Sequence, residues 1–392
     1  MVKLDKDIFK KNIKEKRYKY IVSFPHIGNY YIPIYNWFVN IFDKDTTKVL
    51  IPKKMSNKTL EYGSNNSPDY ICLPFKYNVG NFIESLESGA NVLVQAGGGC
   101  KYGYYSELQF KILKDMGYNF KEITLVDNGK IKPIKIYRKI KNINPKLSFF
   151  KFAYRFVIAA LIAYSLDKFE DYMRNNICYE VKKGSFDILH LRYLNKLKNI
   201  QSLFELLKIN IVFFKKLKNI KLISNKDREQ VIKIGIIGEL FTSMEQFSSN
   251  NIERELLNLG AATKRYTTLT YLMVKKPLEM KRLIKKSSKY IEYELGADGT
   301  VSVAHAIELA DKGYDGIIHI KPFGCTPEEN AIPILQKISS DRHIPIMYLT
   351  FDTETSLTGF KTRLEAFYDM LSMKKERNIL RSNFKEEVYD AK

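Results

Sequence analysis

Apolar and polar residues alternate along the first third of the chain in a pattern typical of an α/β sheet. Short apolar runs predict strands at "KYIVSF", "KVLI", "NVLVQA" and "FKEITLV". Apolar residues at helical spacing predict helices between them, at "YIPIYNWFVNIF", "NVGNFIESLESGA" and "GYYSELQFKILKDMG". Because strands and helices alternate, we expect a parallel sheet with helices on both faces. In the third helix, Tyr105, Leu108, Ile112 and Met116 share the face that we expect to be buried.

The middle of the chain follows a different pattern. Aromatic residues, leucines and lysines recur at helical spacing with almost no Gly or Pro, which predicts helices over 150–175 and 186–218. The α/β pattern then resumes with "VIKIGIIGEL". The sequence therefore predicts four parts: an N-terminal α/β domain (1–147), a basic helical insertion (148–228), a C-terminal α/β domain (229–376) and a charged tail (377–392) that frays.

Positive charge is concentrated in this middle part. Residues 131–230 contain 22 Lys and Arg against 8 Asp and Glu, a balance of +14 within a chain total of +21. A nucleic-acid surface, a basic face for an acidic protein and the codon bias of a genome rich in A and T are the alternatives. We favour codon bias and expect no nucleic acid, because no nucleic-acid motif accompanies the charge.

The sequence also bears on the cellular compartment. The charged opening lacks the apolar segment of a secretory signal. The longest apolar run, residues 156–166, is shorter than the ~20 residues that a bilayer span needs. We expect a buried helix there, no membrane contact and a cytoplasmic protein. Cytosolic proteins rarely use cysteines as disulfides, so metal binding, catalysis or plain burial remain for the four cysteines.

Three of the four cysteines share one setting. Cys72, Cys100 and Cys325 each follow a short apolar stretch, predicted as a strand, next to Gly or Pro and directly before a helix. In open α/β sheets, ligands bind at that edge. Three thiolates there suit zinc or an iron–sulfur centre with one open coordination position. Burial as a small apolar side chain is the alternative for each, and it is the expectation for Cys178, which lacks this setting.

The residues after Cys325 predict how its helix begins. "TPEE" fits a capping box, with Thr326 as N-cap, Pro327 in the first turn and Glu329 three residues after the cap. Pro333 suggests that this helix kinks or restarts.

Other candidates are weaker. His26 follows a strand and either faces a ligand or belongs to a turn, and His319 is expected in the core or behind the ligands. Asp352, Thr353 and Thr355 follow the last strand and either bind substrate or cap the next helix. No P-loop motif occurs in the sequence, so nucleotide hydrolysis by this chain is not expected.

Several stretches resemble one protein family. They are "PHIGNYYIPI", "CLPFKYNVGNFIESLESGAN", "VQAGGGCKYGYYSELQ", "SNNIERELLNLGA", "GIIHIKPFGCTPEENAI" and "TFDTETSLTGFKTRLEAF". Together they look like the 2-hydroxyacyl-CoA dehydratase / benzoyl-CoA reductase family, in the branch related to acyl-CoA dehydratase activases. The boxes "CLPFK", "GGGC" and "KPFGC", in that order, are the specific part of the resemblance, which covers nearly the whole chain apart from the tail and some of the insertion.

The resemblance implies two Rossmann-like domains, a helical insertion between them and an iron–sulfur cluster in the cleft between the domains. It implies that Cys72, Cys100 and Cys325 ligate a [4Fe–4S] cluster whose fourth iron is open. The loops around the cluster would contact it through backbone groups of five residues: Gly97, Gly98, Gly99, Gly324 and Thr326. If a side chain fills the open position, His26 and Asp352 are the first candidates.

The resemblance also implies a partner. A separate ATP-hydrolysing activase with its own [4Fe–4S] cluster would deliver electrons at low potential for the reduction of an acyl-CoA thioester or another resistant substrate, or for the dehydration of a 2-hydroxyacyl thioester. A homo- or heterodimer is possible. The chain departs from some relatives because four cysteines cannot hold a double-cubane cluster and no activase is fused to it. "GELFTSMEQF" is also irregular for the family, which leaves the substrate and the activase contact open.

The sequence is therefore compatible with three functions. The first is a cluster-bearing component of an ATP-dependent reductase or dehydratase system. The second is an iron–sulfur protein that transfers electrons or binds a partner without turning over substrate. The third is a zinc-binding regulatory module.

Overall fold

The structure, a computed structural model, describes residues 18–97, 104–127 and 130–390. The strands in these residues are β1 (Tyr20–Ser23), β2 (Thr47–Val49), β3 (Val92–Gln95), β4 (Lys121–Thr124), β5 (Val126–Asp127), β6 (Lys130–Ile131), β7 (Lys233–Gly238), β8 (Ala262–Arg265), β9 (Gly316–Pro322) and β10 (Ile346–Phe351). The α-helices are α1 (Tyr31–Ile41), α2 (Asn57–Asn65), α3 (Leu73–Glu87), α4 (Tyr105–Asp115), α5 (Pro133–Lys141), α6 (Phe149–Asn176), α7 (Ser185–Leu197), α8 (Leu203–Lys218), α9 (Asn225–Gln230), α10 (Leu240–Met244), α11 (Ile252–Asn258), α12 (Lys276–Ser287), α13 (Gly299–Asp311), α14 (Thr326–Arg342) and α15 (Leu357–Asp390).

Two four-stranded parallel sheets organise the chain. The first has the order β2-β1-β3-β4 and the second the order β8-β7-β9-β10, so the two sheets share one Rossmann-like strand order. The α/β class with two parallel sheets, predicted from the alternation of strands and helices, is thereby confirmed. In each sheet the connections change direction between the first and third strands in the chain, where ligands bind at the carboxyl edge.

Helices cover both faces of the first sheet. One face packs on apolar residues of α1, α5 and the start of α6, and the other packs on α3 and α4. The buried face predicted for α4 is wrong, because Leu108 and Met116 are 37% and 40% exposed. Phe110 and Leu113 are buried instead, and the Phe110 ring lies 5.9 Å from that of Phe82 in α3.

The second sheet is covered in the same way. Apolar residues of α11 and α15 pack on one face, and residues of α13 and α14 pack on the other. Pro333 lies inside α14, which runs without a break from Thr326 to Arg342. The charged tail, predicted to fray, continues α15 as far as Asp390.

Helices α6 to α9 connect the two sheets. The predicted helix over 186–218 is two helices, because Ser202 starts a new one by accepting a hydrogen bond from the Glu205 amide at 3.2 Å. Within the described residues, one helical stretch, Phe149–Tyr179, is long and apolar enough to cross a membrane by length and composition alone. Its residues Ile158 and Ile162 are fully buried among α7, α8 and their neighbours, and 39% of the apolar stretch is buried in all.

Helix α2 was not predicted, because it has few apolar residues. It approaches α3 through two glycines, Gly63 in α2 and Gly80 in α3. A Cβ atom on Gly80 would lie 1.8 Å from the Thr59 carbonyl oxygen, and one on Gly63 would lie 1.8 Å from the Lys76 carbonyl oxygen. The two helix backbones are therefore in direct contact, with no room for a side chain.

This contact predicts that a change from Gly to Ala alters the free energy of unfolding in opposite directions at two helical positions. Gly80→Ala should lower the free energy of unfolding by about 2 kcal/mol or more, because its methyl group meets backbone. Gly359→Ala in α15, where the nearest atom to a Cβ is 3.8 Å away, should raise it by up to ~1 kcal/mol, since Ala favours helix over Gly. Urea unfolding measures both. Equal effects at the two sites would contradict the packing of α2 on α3.

Candidate functional site

Cys72 is the residue directly before α3. The preceding residues form a turn in which the Ile71 amide donates to the Pro68 carbonyl at 3.3 Å, so the strand predicted before Cys72 is wrong. Cys72 nevertheless occupies the N-cap position of the helix, without a side-chain cap. Its half-buried thiol contacts the Tyr105 hydroxyl at the start of α4.

Cys325 occupies the same position in the second sheet's unit. It follows β9 after a turn in which Gly324 has φ +76°, and it is the N-cap of α14. The predicted capping box is wrong, because Thr326 is the first residue of the helix and not its cap. The Glu329 carboxylate instead pairs with the buried Lys321 at the end of β9.

Cys72 and Cys325 are neighbours although they belong to different sheets. A Cβ on Gly324 would lie 3.4 Å from the Tyr70 carbonyl oxygen, so the two cysteine loops approach each other. Burial raises the pKa of the Cys325 thiol well above its ordinary value, and the negative charges of Glu239 and Glu328, together with Cys72, raise it further. The loops that carry two of the three predicted ligands therefore lie close to each other.

The third predicted ligand, Cys100, lies outside the described residues, as do Gly98 and Gly99. Gly97 is described, directly after Ala96 at the end of β3, and has φ +99°. A Cβ there would lie 3.2 Å from Cβ of Val126. Among the described residues, no three His, Cys, Asp or Glu side chains are grouped as a metal site, and the roles of the predicted ligands remain predictions.

The first turns of α3 fix Cys72 against the second sheet. Leu73 and Tyr77 are buried in the apolar core that covers β7, β9 and β10. The Tyr77 ring stacks on Phe241 of α10 at 6.1 Å and meets Phe247 edge-on at 6.0 Å. Since Leu73 directly follows Cys72, this core packing holds the thiol at the edge of the second sheet.

The His26 loop makes a second connection between the two units. His26 Nδ1 lies 2.8 Å from Glu245 Oε2, and the Gly28 amide donates to the same oxygen at 2.7 Å. The His26 amide donates to Asn81 Oδ1 of α3 at 2.9 Å. His26 therefore belongs to a structured turn, and its Nε2 atom is the one ring nitrogen not used by Glu245.

The remaining sequence candidates have local roles. Asp352 is exposed, and its Oδ1 accepts hydrogen bonds from the Glu354 amide and the Thr355 hydroxyl. Ser356 at the end of this turn accepts from the Gly359 amide at 3.3 Å, which caps α15. His319 is fully buried, with Nε2 at 2.7 Å from Glu328 Oε2.

Cys178 lies apart from these residues, in a short 3₁₀ turn, Ile177–Tyr179, after α6. It is half-buried, and burial raises the pKa of its thiol to about 11. This setting fits packing, as its sequence suggested.

A half-buried acid near Cys325, Glu239, was not predicted from the sequence. Glu239 follows β7, and its carboxylate accepts from the Phe241 amide and from the amide and hydroxyl of Thr242. Burial raises the pKa of Glu239 to about 7, aided by the charge of Asp298 and opposed by these hydrogen bonds. Asp298 in turn pairs with Lys276 at 2.9 Å. The position of Glu239 directly after an apolar strand was the signal that could have revealed it.

The two cysteine positions suit an anionic metal–thiolate group. Cys72 and Cys325 each begin a long helix, of 15 and 17 residues, and neither side chain caps its own helix. The Glu328 amide in the first turn of α14 faces the Cys325 thiol and lowers its pKa, and helix N-termini favour negative charge. Gly324 has no Cβ to keep a bulky group from the backbone of its loop.

Comparisons with known proteins do not add a family to this description. No family model matches the chain, and no curated protein matches it. The functional assignment rests on the motif boxes and on the contacts described above.

The connection through Glu245 predicts a pH-dependent contribution to stability. Burial alone would raise the pKa of Glu245, but the hydrogen bond and charge of His26 and the Gly28 amide bring it below its ordinary 4.5. A lowered pKa means that the carboxylate stabilises the fold above pH 4.5 and that this is lost as the pH falls through the folded-state pKa. Glu245→Gln should therefore lower the free energy of unfolding at pH 7 by ~1–3 kcal/mol.

Urea unfolding at several pH values tests this. The difference between the native chain and Glu245→Gln should shrink below pH 4.5, whereas Glu365→Gln, at an exposed site in α15, should change little at any pH. A difference that is constant with pH would show that the carboxylate charge is not involved.

Proposed function

We propose that the chain is the cluster-bearing component of an ATP-dependent low-potential reductase or 2-hydroxyacyl-CoA dehydratase system. Cys72, Cys100 and Cys325 would hold a [4Fe–4S] cluster in the cleft between two Rossmann-like units. One observation supports this most strongly: Cys72 and Cys325, more than 250 residues apart in sequence, occupy equivalent helix starts, and their two loops approach each other.

The chain's own residues would have distinct parts in this function. The cluster, when bound, supplies one-electron transfer at low potential. The thiolates would ligate it, and the N-termini of α3 and α14 would stabilise its negative charge. The packing of Leu73 and Tyr77 would keep the two thiols at a fixed separation, since both residues belong to the core of the second unit.

The raised pKa of the Cys325 thiol argues against nucleophilic catalysis. A nucleophilic cysteine needs a lowered pKa, which a helix N-terminus or a neighbouring cation provides. The pKa of Cys325 is raised, because burial and two nearby acids, Glu239 and Glu328, outweigh its position at a helix start. Metal binding would displace the thiol proton, so the affinity for the metal should increase with pH.

Electrons and substrate would come from outside the chain. A separate activase with its own [4Fe–4S] cluster would supply the electrons, in a cytoplasmic setting, and an acyl-CoA thioester or another resistant compound would receive them. The balance of +14 over 131–230 would attract an acidic surface on such an activase.

Anaerobic purification of single cysteine variants tests the ligand set. Cys72→Ser, Cys100→Ser and Cys325→Ser should each lose iron and acid-labile sulfide or hold them loosely, while Cys178→Ser should keep the iron content of the native chain. Circular dichroism controls for folding. A colourless native protein that contains zinc would overturn the proposal in favour of a zinc-binding module, and equal iron loss in all four variants would overturn the ligand assignment.

A second measurement separates an enzyme component from an electron carrier. The native protein is mixed with an activase of the dehydratase type and ATP, and the reduction of its cluster is followed by electron paramagnetic resonance. Reduction followed by turnover of an added 2-hydroxyacyl-CoA or aromatic acyl-CoA supports the proposal. Reduction without turnover of any thioester would favour the non-catalytic alternative.

A further inference from the structure

Helices α6 and α8 present a large apolar surface to solvent. Ten of their large apolar side chains are between 40% and 86% exposed. Eight of these ten form the surface called the outer apolar face below: Phe150, Tyr154, Val157, Leu161 and Tyr164 in α6 and Phe204, Leu207 and Ile211 in α8; the other two are Phe149 and Val212. A surface helix ordinarily turns polar residues to solvent, so this face calls for a partner.

The α6 part of this face has the spacing of a helix-pairing seam. Its five residues are separated by 4, 3, 4 and 3 positions, the repeat that lets one helix pack lengthwise against another. Between Lys151 and Lys168 on this side of α6, the one basic residue is Arg155, whose Nη1 donates to the Gln201 carbonyl at 2.8 Å. The seam therefore runs for four turns without an unpaired charge.

Helices α6 and α8 lie side by side, so their exposed residues form one surface. The Asn210 side-chain amide donates to Ser165 Oγ at 2.8 Å, and the Arg155 contact joins the helices' first turns. Both helices bury their other faces in the same core, which includes Ile158, Ile162 and Phe213.

The area of the outer apolar face matches what a stable dimer needs. A large apolar side chain has a surface of roughly 150–250 Å². With eight such side chains about half exposed, the face offers roughly 600–1,000 Å² of apolar surface, compared with ~800 Å² per partner in a standard interface. The largest apolar patch of a typical monomer is smaller, at roughly 300–600 Å².

We propose that the outer apolar face binds a second copy of this chain, with α6 packed against α6 of the partner across a two-fold axis. A two-fold interface brings the same patch of both copies together, so a seam with the period of a helix meets a helix of the same period. The lysines lie at the ends of the seam, at Lys151 and Lys168, where they remain hydrated at the rim of the interface.

The response to salt distinguishes a second copy of the chain from two other partners of this face, an anionic membrane surface and an acidic protein. An anionic membrane surface or an acidic protein would be attracted by the lysines of α6 and α8, and salt would weaken that attraction. Two copies of a basic chain repel each other at the rim, so salt should leave their association unchanged or strengthen it.

Sedimentation velocity of the full chain at micromolar concentrations tests the proposal. The native protein should sediment with twice the 45.7 kDa of one chain, at both low and moderate salt. Leu161→Glu places a charge in the middle of the seam and should raise the dissociation constant at least ~30-fold, as expected for a central interface residue. Leu278→Glu in α12, at an exposed site outside the face, should remain dimeric.

Several outcomes would overturn the proposal. They are a monomeric native protein, a dimer that salt dissociates, and a dimer that Leu161→Glu leaves intact while retaining its circular dichroism spectrum. Flotation with phosphatidylglycerol vesicles gives a further measurement. Binding of a monomer to these vesicles that Leu161→Glu abolishes would assign the face to a membrane surface. None of these results depends on the iron content, so the dimer and the proposed cluster can fail independently.

Discussion

The arrangement of the candidate site depends on the packing of the first turns of α3 into the core of the second sheet. Leu73 and Tyr77 belong to the chain segment between β2 and β3, yet they are buried with Phe241 and the strands of the other unit. Burial of two large side chains is worth several kcal/mol, at ~1.5–3 kcal/mol each. Because Cys72 directly precedes Leu73, the position of its thiol is set by the same packing that holds the two units together.

The shared strand order explains why such packing produces a site. In each sheet the ligand-binding edge lies between the first and third strands, and the two sheets place comparable features there. The His26 turn follows β1 and Glu239 follows β7, while the loop that starts at Gly97 follows β3 and Cys325 follows β9. The pair of His26 and Glu245 joins these two edges directly. Close contact between the units therefore brings the ends of equivalent strands together.

The sequence predicted seven of the eight strands in the two parallel sheets, because each of the seven contains a short apolar run, as in "NVLVQA" and "VIKIGIIGEL". It missed the edge strand β8, whose sequence "ATKR" is mostly polar. Its errors have local causes. The α4 helix offers two stripes at helical spacing, and only packing against Phe82 selects the one with Phe110. Cys72 was placed after a strand because "YICLPF" is apolar, whereas its buried residues serve a helix start. The approach of the Cys72 and Cys325 loops arises from tertiary packing. No local sequence pattern predicts it, whereas the family resemblance implies it.

The two proposals use different parts of the chain and different physical forces. The candidate metal site concentrates thiols, helix N-termini and the half-buried acid Glu239 at the sheet edges, where charge and coordination dominate. The outer apolar face lies on the connecting helices, where area and helix periodicity dominate. Both faces of α6 are apolar, one for the core shared with α1 and α8 and one for solvent or a partner. A helix that only connected two sheets would need the first face alone, so the second face is best explained by association.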